Sequence, residues 1–347
     1  MRPALRVLAP GLLTTIQDLG RPGYQRLGVP VGGALDPVSL RAANALVGNA
    51  VDTGALEIAY VGPTLAVDAD DVRLSLVGAS TTVEILPGEN ASRATRIETM
   101  RSIRLRRGQV VRIGSLSGGA VLYVAVEGGF DIEPELGSQS TYLRGALGGW
   151  QGRPLQADDR VPLVRMRASE RDDCRYHGLD LKPPARFRVI AGPQSDYFSN
   201  GAIARFFDST YTVCAGSDRM GMRLDGARLD HPCGFNITSD AIAPGSIQVP
   251  GNGQPIVLLA DRQTTGGYPK IATVISADLP ALGRVAIGAK ISFEPVSIET
   301  AEAARRSMFA EIARLGDKIV PLAGSGDAFA PQLLHHNLVS GVVDALY

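Results

Sequence analysis

A chain of 347 residues with 45% hydrophobic and 20% charged side chains has material for a sizeable core, and its length favours two compact units over one. Its 35 basic and 35 acidic residues cancel, which removes the electrostatic footprint of a nucleic-acid or anionic-membrane binder. With 40 glycines, 22 prolines and only 5% aromatics, the composition fits many short strands joined by tight turns better than long helices.

Short apolar runs of strand length recur at 5–8, 56–60, 72–77, 121–126, 256–260 and 271–275, commonly beside glycine or proline. The clearest helix starts at Asp36 as N-cap with Pro37 in the first turn, places Leu40, Ala43 and Val47 on one face, and stops at Gly48. A second helix is expected over 196–207 and a third over 300–315, the latter ending at Gly316. Residues 3–10 echo 184–193, and 152–161 echo 283–291, as two similar β-rich halves would; chance likeness between strand–turn strings accounts for the same echo. The charged stretch 165–182 before Pro183-Pro184 reads as a linker. The expected division is residues 1–170, residues 184–296, and a C-terminal helix and tail over 297–347.

Cys174, Cys214 and Cys233 have neither disulfide nor zinc spacing, the N-terminus lacks a signal-peptide pattern, and no apolar run reaches the roughly 18–20 residues of a bilayer span. A cytoplasmic protein without membrane or metal partners is expected; adjacent His335 and His336 have no ligand-spaced companion. There is no GxxxxGK[ST], no GxGxxG opening a helix and no GxSxG, and 283–290 has one residue too many before Lys290 for a phosphate loop. Self-sufficient ATP chemistry is not expected of this chain.

Three polar, glycine-punctuated segments carry the candidate chemistry. The first runs from Gln17, Asp18 and Arg21 through Tyr24 to Asp36: an amide, a carboxylate and a guanidinium within five residues can bind a small polar substrate. A loop whose Asp18–Arg21 pair merely fixes a turn explains the same residues. The second comprises 217–226 and 239–250, including Gln248, whose alternating charges alone support no catalytic role. The third is Asp261-Arg262-Gln263-Thr264-Thr265-Gly266-Gly267-Tyr268-Pro269-Lys270 between two apolar strands. There Gly266 and Gly267 can turn backbone N–H groups toward an anion, Lys270 can oppose its charge, and Gln263 and Thr264 suit an amide, lactam or urea; a polar hairpin with glycines for positive φ is the plain alternative.

The strings 14–24, 36–49, 56–57, 137–144, 217–221 and 261–270, in this order, resemble the family of 5-oxoprolinase C subunits, also called allophanate hydrolase subunit 2, which includes carboxyltransferase subdomains A and B of urea carboxylase. The resemblance covers residues 1–296. It implies a mainly β fold of two cyclophilin-like β-barrel subdomains with a few short helices and a C-terminal helical extension. It also implies partner subunits A and B and ATP-dependent hydrolysis of 5-oxo-L-proline to L-glutamate, phosphorylation of the lactam oxygen activating the unreactive carbonyl. On this basis Asp18, Arg21, Gln263 and Lys270 are the expected catalytic residues. Gln17, Tyr24, Asp36, Gln248, Asp261, Thr264, Gly266, Gly267 and Tyr268 are the expected substrate contacts. Two other outcomes stay open: transfer of a carboxyl group from carboxybiotin carried by another protein to a urea- or amide-like substrate, and a regulatory role beside a sensor-kinase inhibitor.

Overall fold

Two long strands, Asp71–Ser80 and Ser117–Val126, are buried at successive residues instead of alternating, which marks a sheet covered on both faces. In the computed structural model, which describes residues 2–322, they pair antiparallel at the centre of a seven-stranded sheet. One face, with Leu74, Leu76, Leu122 and Val124, packs against Leu5, Val7 and Leu65 of a six-stranded sheet. The other face, with Val77, Val121, Tyr123 and Ala125, is covered by Leu40, Ala43 and Leu46 of the helix Pro37–Leu46. That helix begins as its sequence predicts: Asp36 accepts from the Val38 N–H at 3.0 Å and Pro37 fills the first turn.

The C-terminal half opens with Arg186–Ala191 and closes as a seven-stranded barrel. Closure comes from Lys290–Pro295, which returns parallel to the first strand with Phe293 opposite Phe187. The helix Asn200–Asp208 packs on the barrel through Phe206, stacked on Phe293 with centroids 4.9 Å apart. Both halves are β units with few helices, the N-terminal strands forming two facing sheets and the C-terminal ones a closed ring. The sequence echo is matched in strand adjacency but not in strand direction. In each half the first strand lies beside a late one, Ala4–Ala9 with Arg160–Pro162 antiparallel and Arg186–Ala191 with Lys290–Pro295 parallel.

The stretch 165–182 is not a free linker. Cys174–Tyr176 joins the seven-stranded sheet, and buried Arg73 reaches Asp173 at 3.0 Å and Glu127 at 2.6 Å. The last expected helix spans Ile298–Ala313, capped by Ser297. Beyond it Ile319–Pro321 crosses back to the N-terminal half and pairs antiparallel with Cys174–Tyr176. The expected tail after Leu322, with His335 and His336, lies outside the described residues. Among the described residues no helix is long and apolar enough to cross a membrane and no cluster of metal-ligating side chains occurs.

The two halves meet along a tight seam. Arg284 donates to the Oδ2 of fully buried Asp36 at 2.8 Å, and its carbonyl accepts from the Ala120 N–H at 2.8 Å. A Cβ on Gly283 would lie 2.2 Å from the Leu35 carbonyl oxygen, a backbone atom that cannot swing aside. Gly283→Ala should therefore wedge the seam and cost about 1–3 kcal/mol. The check is a lowered urea midpoint with an unchanged m-value.

Candidate functional site

Asp218 Oδ1 accepts from the N–H groups of Met220 (2.8 Å) and Gly221 (3.1 Å), a tight turn that carries Arg219 into the seam. The Arg219 guanidinium, 7% exposed, forks onto Asp261, Nε to Oδ2 at 2.8 Å and Nη2 to Oδ1 at 3.0 Å. Its Nη2 also donates to the Gly33 carbonyl at 2.6 Å, and Nη1 donates to Oε1 of Glu57 in the N-terminal half. Glu57 Oε2 accepts from the Leu35 N–H at 2.8 Å and from the Tyr123 hydroxyl, which itself accepts from the Asp36 N–H at 2.9 Å. Burial disfavours the Arg219 charge, yet Glu57 and Asp261 outweigh it and hold its pKa above the usual value. Burial first, and the Glu57 carboxylate second, push the Tyr123 phenol well above its usual range, so it remains a neutral donor.

This network floors a cavity of about 310 Å³ between the halves, a volume suited to a small molecule. Its walls are mainly apolar, including Leu13, Ala59, Val213, Met222, Leu259 and Val285. At its edge Arg144 of one half faces Asp218 of the other at 3.9 Å.

The N-terminal polar segment serves mostly to hold itself together. Asp18 Oδ1 accepts from the Gly20 N–H (2.7 Å) and the Ser138 and Ser140 hydroxyls, and Oδ2 from the Gln139 N–H (2.6 Å). With four donors already satisfied, this carboxylate has the geometry of an anchor for the segment 138–141. Gln17 is fully buried, its Nε2 donating to the Thr141 carbonyl and the Thr15 hydroxyl, both at 3.1 Å. Tyr24 is half-buried and its carbonyl accepts from the Leu27 N–H, while Asp36 belongs to the helix cap and the seam. Arg21 is 1% exposed, its Nη2 donating to the Ser140 carbonyl and its Nη1 without a partner among the described residues. Burial lowers its pKa against the pull of Asp18, Asp261 and Glu135. The first and third segments do approach one another: a Cβ on Gly32 would lie 3.6 Å from Arg21 Nη1 and 3.5 Å from Asp261 Oδ1. The recess between the halves is lined by Thr15 and Asp261, however, not by Gln17 and Gln263.

The remaining expected residues gather on the C-terminal barrel. Gln248 and Lys270 lie opposite one another on paired strands, both buried, and Lys270 Nζ donates to Asp240 Oδ2 at 3.0 Å. Gly266 pairs opposite Asp240, and the Thr264 and Gly267 carbonyls accept from the Ile242 (3.1 Å) and Ile237 (2.9 Å) N–H groups. Tyr268 is exposed at the edge. Neither Gly266 nor Gly267 adopts positive φ. What Gly266 supplies is space, since a Cβ there would meet Ile242 Cδ1 at 2.7 Å and Gln248 Nε2 at 2.8 Å. Sequence reasoning gave no role to Glu57, Tyr123, Asp240 or Arg219. The readable hint was an acid inside the apolar strand Ala55–Ala59.

The same architecture recurs in solved structures. This chain superposes on the urea carboxylase of Kluyveromyces lactis with a TM-score of 0.80 at 28% identity, over 92% of this chain and 31% of that one. It likewise superposes on the urea amidolyase of K. lactis, TM-score 0.79 at 28% identity, over 92% of this chain and 21% of that one. Residues 27–295 match the family described as carboxyltransferase domain, subdomain A and B, and the chain belongs to that family. It is similar to the C subunit of 5-oxoprolinase from Escherichia coli, 37% identical over 303 residues that cover 87% of this chain and 94% of that protein. The Haemophilus influenzae protein of the same name is 39% identical over 295 residues, 84% of this chain and 91% of that one.

Arg219→Met would leave Glu57 and Asp261 buried without their shared counter-charge, and stability should fall by roughly 3–5 kcal/mol. Arg219→Lys, unable to fork, should recover only part of this in urea titrations. Asp18→Ala should cost about 3 kcal/mol by stranding several buried donors. A melting temperature unchanged by Asp18→Ala would mark that carboxylate as free for chemistry.

Proposed function

We propose that the chain is the C subunit of an ATP-dependent 5-oxoprolinase complex that opens 5-oxo-L-proline to L-glutamate. The observation that carries this reading is the donor-rich cluster of Gln248, Gln263 and Lys270 on the C-terminal barrel. It is supported by relatives named as 5-oxoprolinase C subunits that match almost end to end. A lactam presents one N–H and one C=O side by side, which a carboxamide such as Gln263 complements with its own acceptor and donor. Amide resonance makes the carbonyl a poor electrophile. Charge developing on its oxygen calls for preorganised donors, a part that falls to Lys270. Partner subunits A and B follow from the same reading.

The chain's own residues do not form a phosphate cradle in the segment closest to that pattern. Residues 283–290 run from the end of the short helix Leu279–Gly283 into the strand Lys290–Pro295, the reverse of a strand–loop–helix order. ATP-dependent turnover is accordingly expected of the assembled subunits and not of this chain by itself.

A second reading, carboxyl transfer from carboxybiotin on another protein to a urea- or amide-like substrate, draws on the superposition with urea carboxylase. Co-expression with subunits A and B separates the two. The chain alone should release no glutamate from 5-oxoproline, and the assembled set should do so only with ATP and equally well in the presence of avidin. Robust turnover by the chain alone rejects the complex-subunit reading. Avidin-sensitive, bicarbonate-dependent ATP consumption favours carboxyl transfer.

A further inference from the structure

The seam cavity is floored by charges that satisfy one another; the cluster around Gly266 is left with donors to spare. Gln248 and Lys270 are 2% exposed and directly opposite in antiparallel register, so their side chains leave the same face of the sheet. Gln248 Nε2 nevertheless has no hydrogen-bond partner among the described residues. Lys270 Nζ donates to Asp240 alone among these residues, leaving two of its N–H bonds. A Cβ on Gly266 would lie 2.8 Å from Gln248 Nε2 and 3.4 Å from Gln263 Nε2, so two carboxamides converge where that side chain is missing. Ile242 closes over the same point, and its carbonyl accepts from Arg262 Nε at 3.1 Å.

Arg262 is 7% exposed, its remaining bond runs from Nη1 to the Leu259 carbonyl at 3.2 Å, and no carboxylate lies within ion-pair reach among the described residues. A desolvated guanidinium without a counter-ion is costly, and burial lowers its pKa accordingly. Lys270 and Arg262 oppose only Asp240, because the Asp261 carboxylate is committed to Arg219. The local surplus is one positive charge among unpartnered donors.

We infer that this cluster recognises a carboxylate, so its ligand is a small carboxylic acid bearing an amide or lactam and not a neutral urea or lactam. The inference rests on the substrate-binding reading above and adds to it a charge requirement and a role for Arg262. The carboxylate accepts from Gln248 Nε2 and one of the two remaining N–H bonds of Lys270 Nζ, the other being left for the lactam oxygen. Arg262 supplies the compensating charge from behind Ile242, and Gln263 meets the amide end.

Titration calorimetry on the full chain at matched ionic strength, with 5-oxoproline, glutaramate and the neutral lactam 2-pyrrolidinone, tests this. Both acids should bind, and the neutral lactam at least about tenfold more weakly. Gln248→Leu removes an unpartnered buried donor, so the fold should be unharmed while acid affinity drops about tenfold. Arg262→Gln should erase the preference for acids; should it fail to fold, Gln248→Leu still decides. Equal affinity for acid and neutral lactam, no saturable binding of either acid, or wild-type acid binding by Gln248→Leu overturns the carboxylate site. Acid binding that depends on Gln248, beside a reconstituted complex that releases no glutamate, leaves this site standing and removes the 5-oxoprolinase reading. Turnover with kcat/KM untouched by Gln248→Leu does the reverse.

Discussion

One guanidinium, that of Arg219, sets the relation between the two halves. It lies inside the seam, forked onto Asp261 of its own half and bonded to Glu57 and the Gly33 carbonyl of the other. Buried ion pairs of this kind add little net stability compared with apolar packing, because both charges must leave water. Their effect is to penalise every arrangement in which one member lacks its partner. Tyr123 and the Leu35 N–H extend the same demand to the central sheet and to the approach of the helix Pro37–Leu46. Asp261 opens the loop that ends at Lys270, so the seam also fixes where the donor cluster begins.

The cavity and the cluster are built on opposite principles although they share that loop. In the cavity the charged groups are committed to one another beneath apolar walls, which favours an apolar body over a small polar molecule. Around Gly266 the donors outnumber the acceptors, and a polar anion gains most there. Asp261 faces the first and Gln263 the second, two residues apart.

Much of this architecture was legible in the sequence. Apolar runs gave the central strands, Asp36-Pro37 gave a helix start, and the segment 261–270 stood out as polar residues between buried strands. What was not legible depends on contacts between distant residues. The Arg219–Glu57 pair spans 162 positions, and no local pattern announces it. Asp18 reads alone as a free carboxylate, since the hydroxyls that occupy it lie 120 and 122 residues away. The stretch 165–182 reads as a linker because its charges look solvated, whereas Asp173 and the Arg171 carbonyl are committed to Arg73. At Gly266 the sequence suggested backbone freedom, but the structure uses the missing side chain.

The return of Ile319–Pro321 to Cys174–Tyr176 gives the molecule an uneven topology. These two strands are neighbours in one sheet, yet the entire C-terminal barrel is spelled out between them, so that barrel is a guest lodged in the turn of a hairpin. The host sheet can gain its last strand only after the guest has compacted enough to bring the hairpin's ends together, because closing so long a loop costs entropy that local contacts do not repay. Connectivity thereby favours an order of assembly in which the barrel ripens before the edge of the neighbouring sheet is sealed.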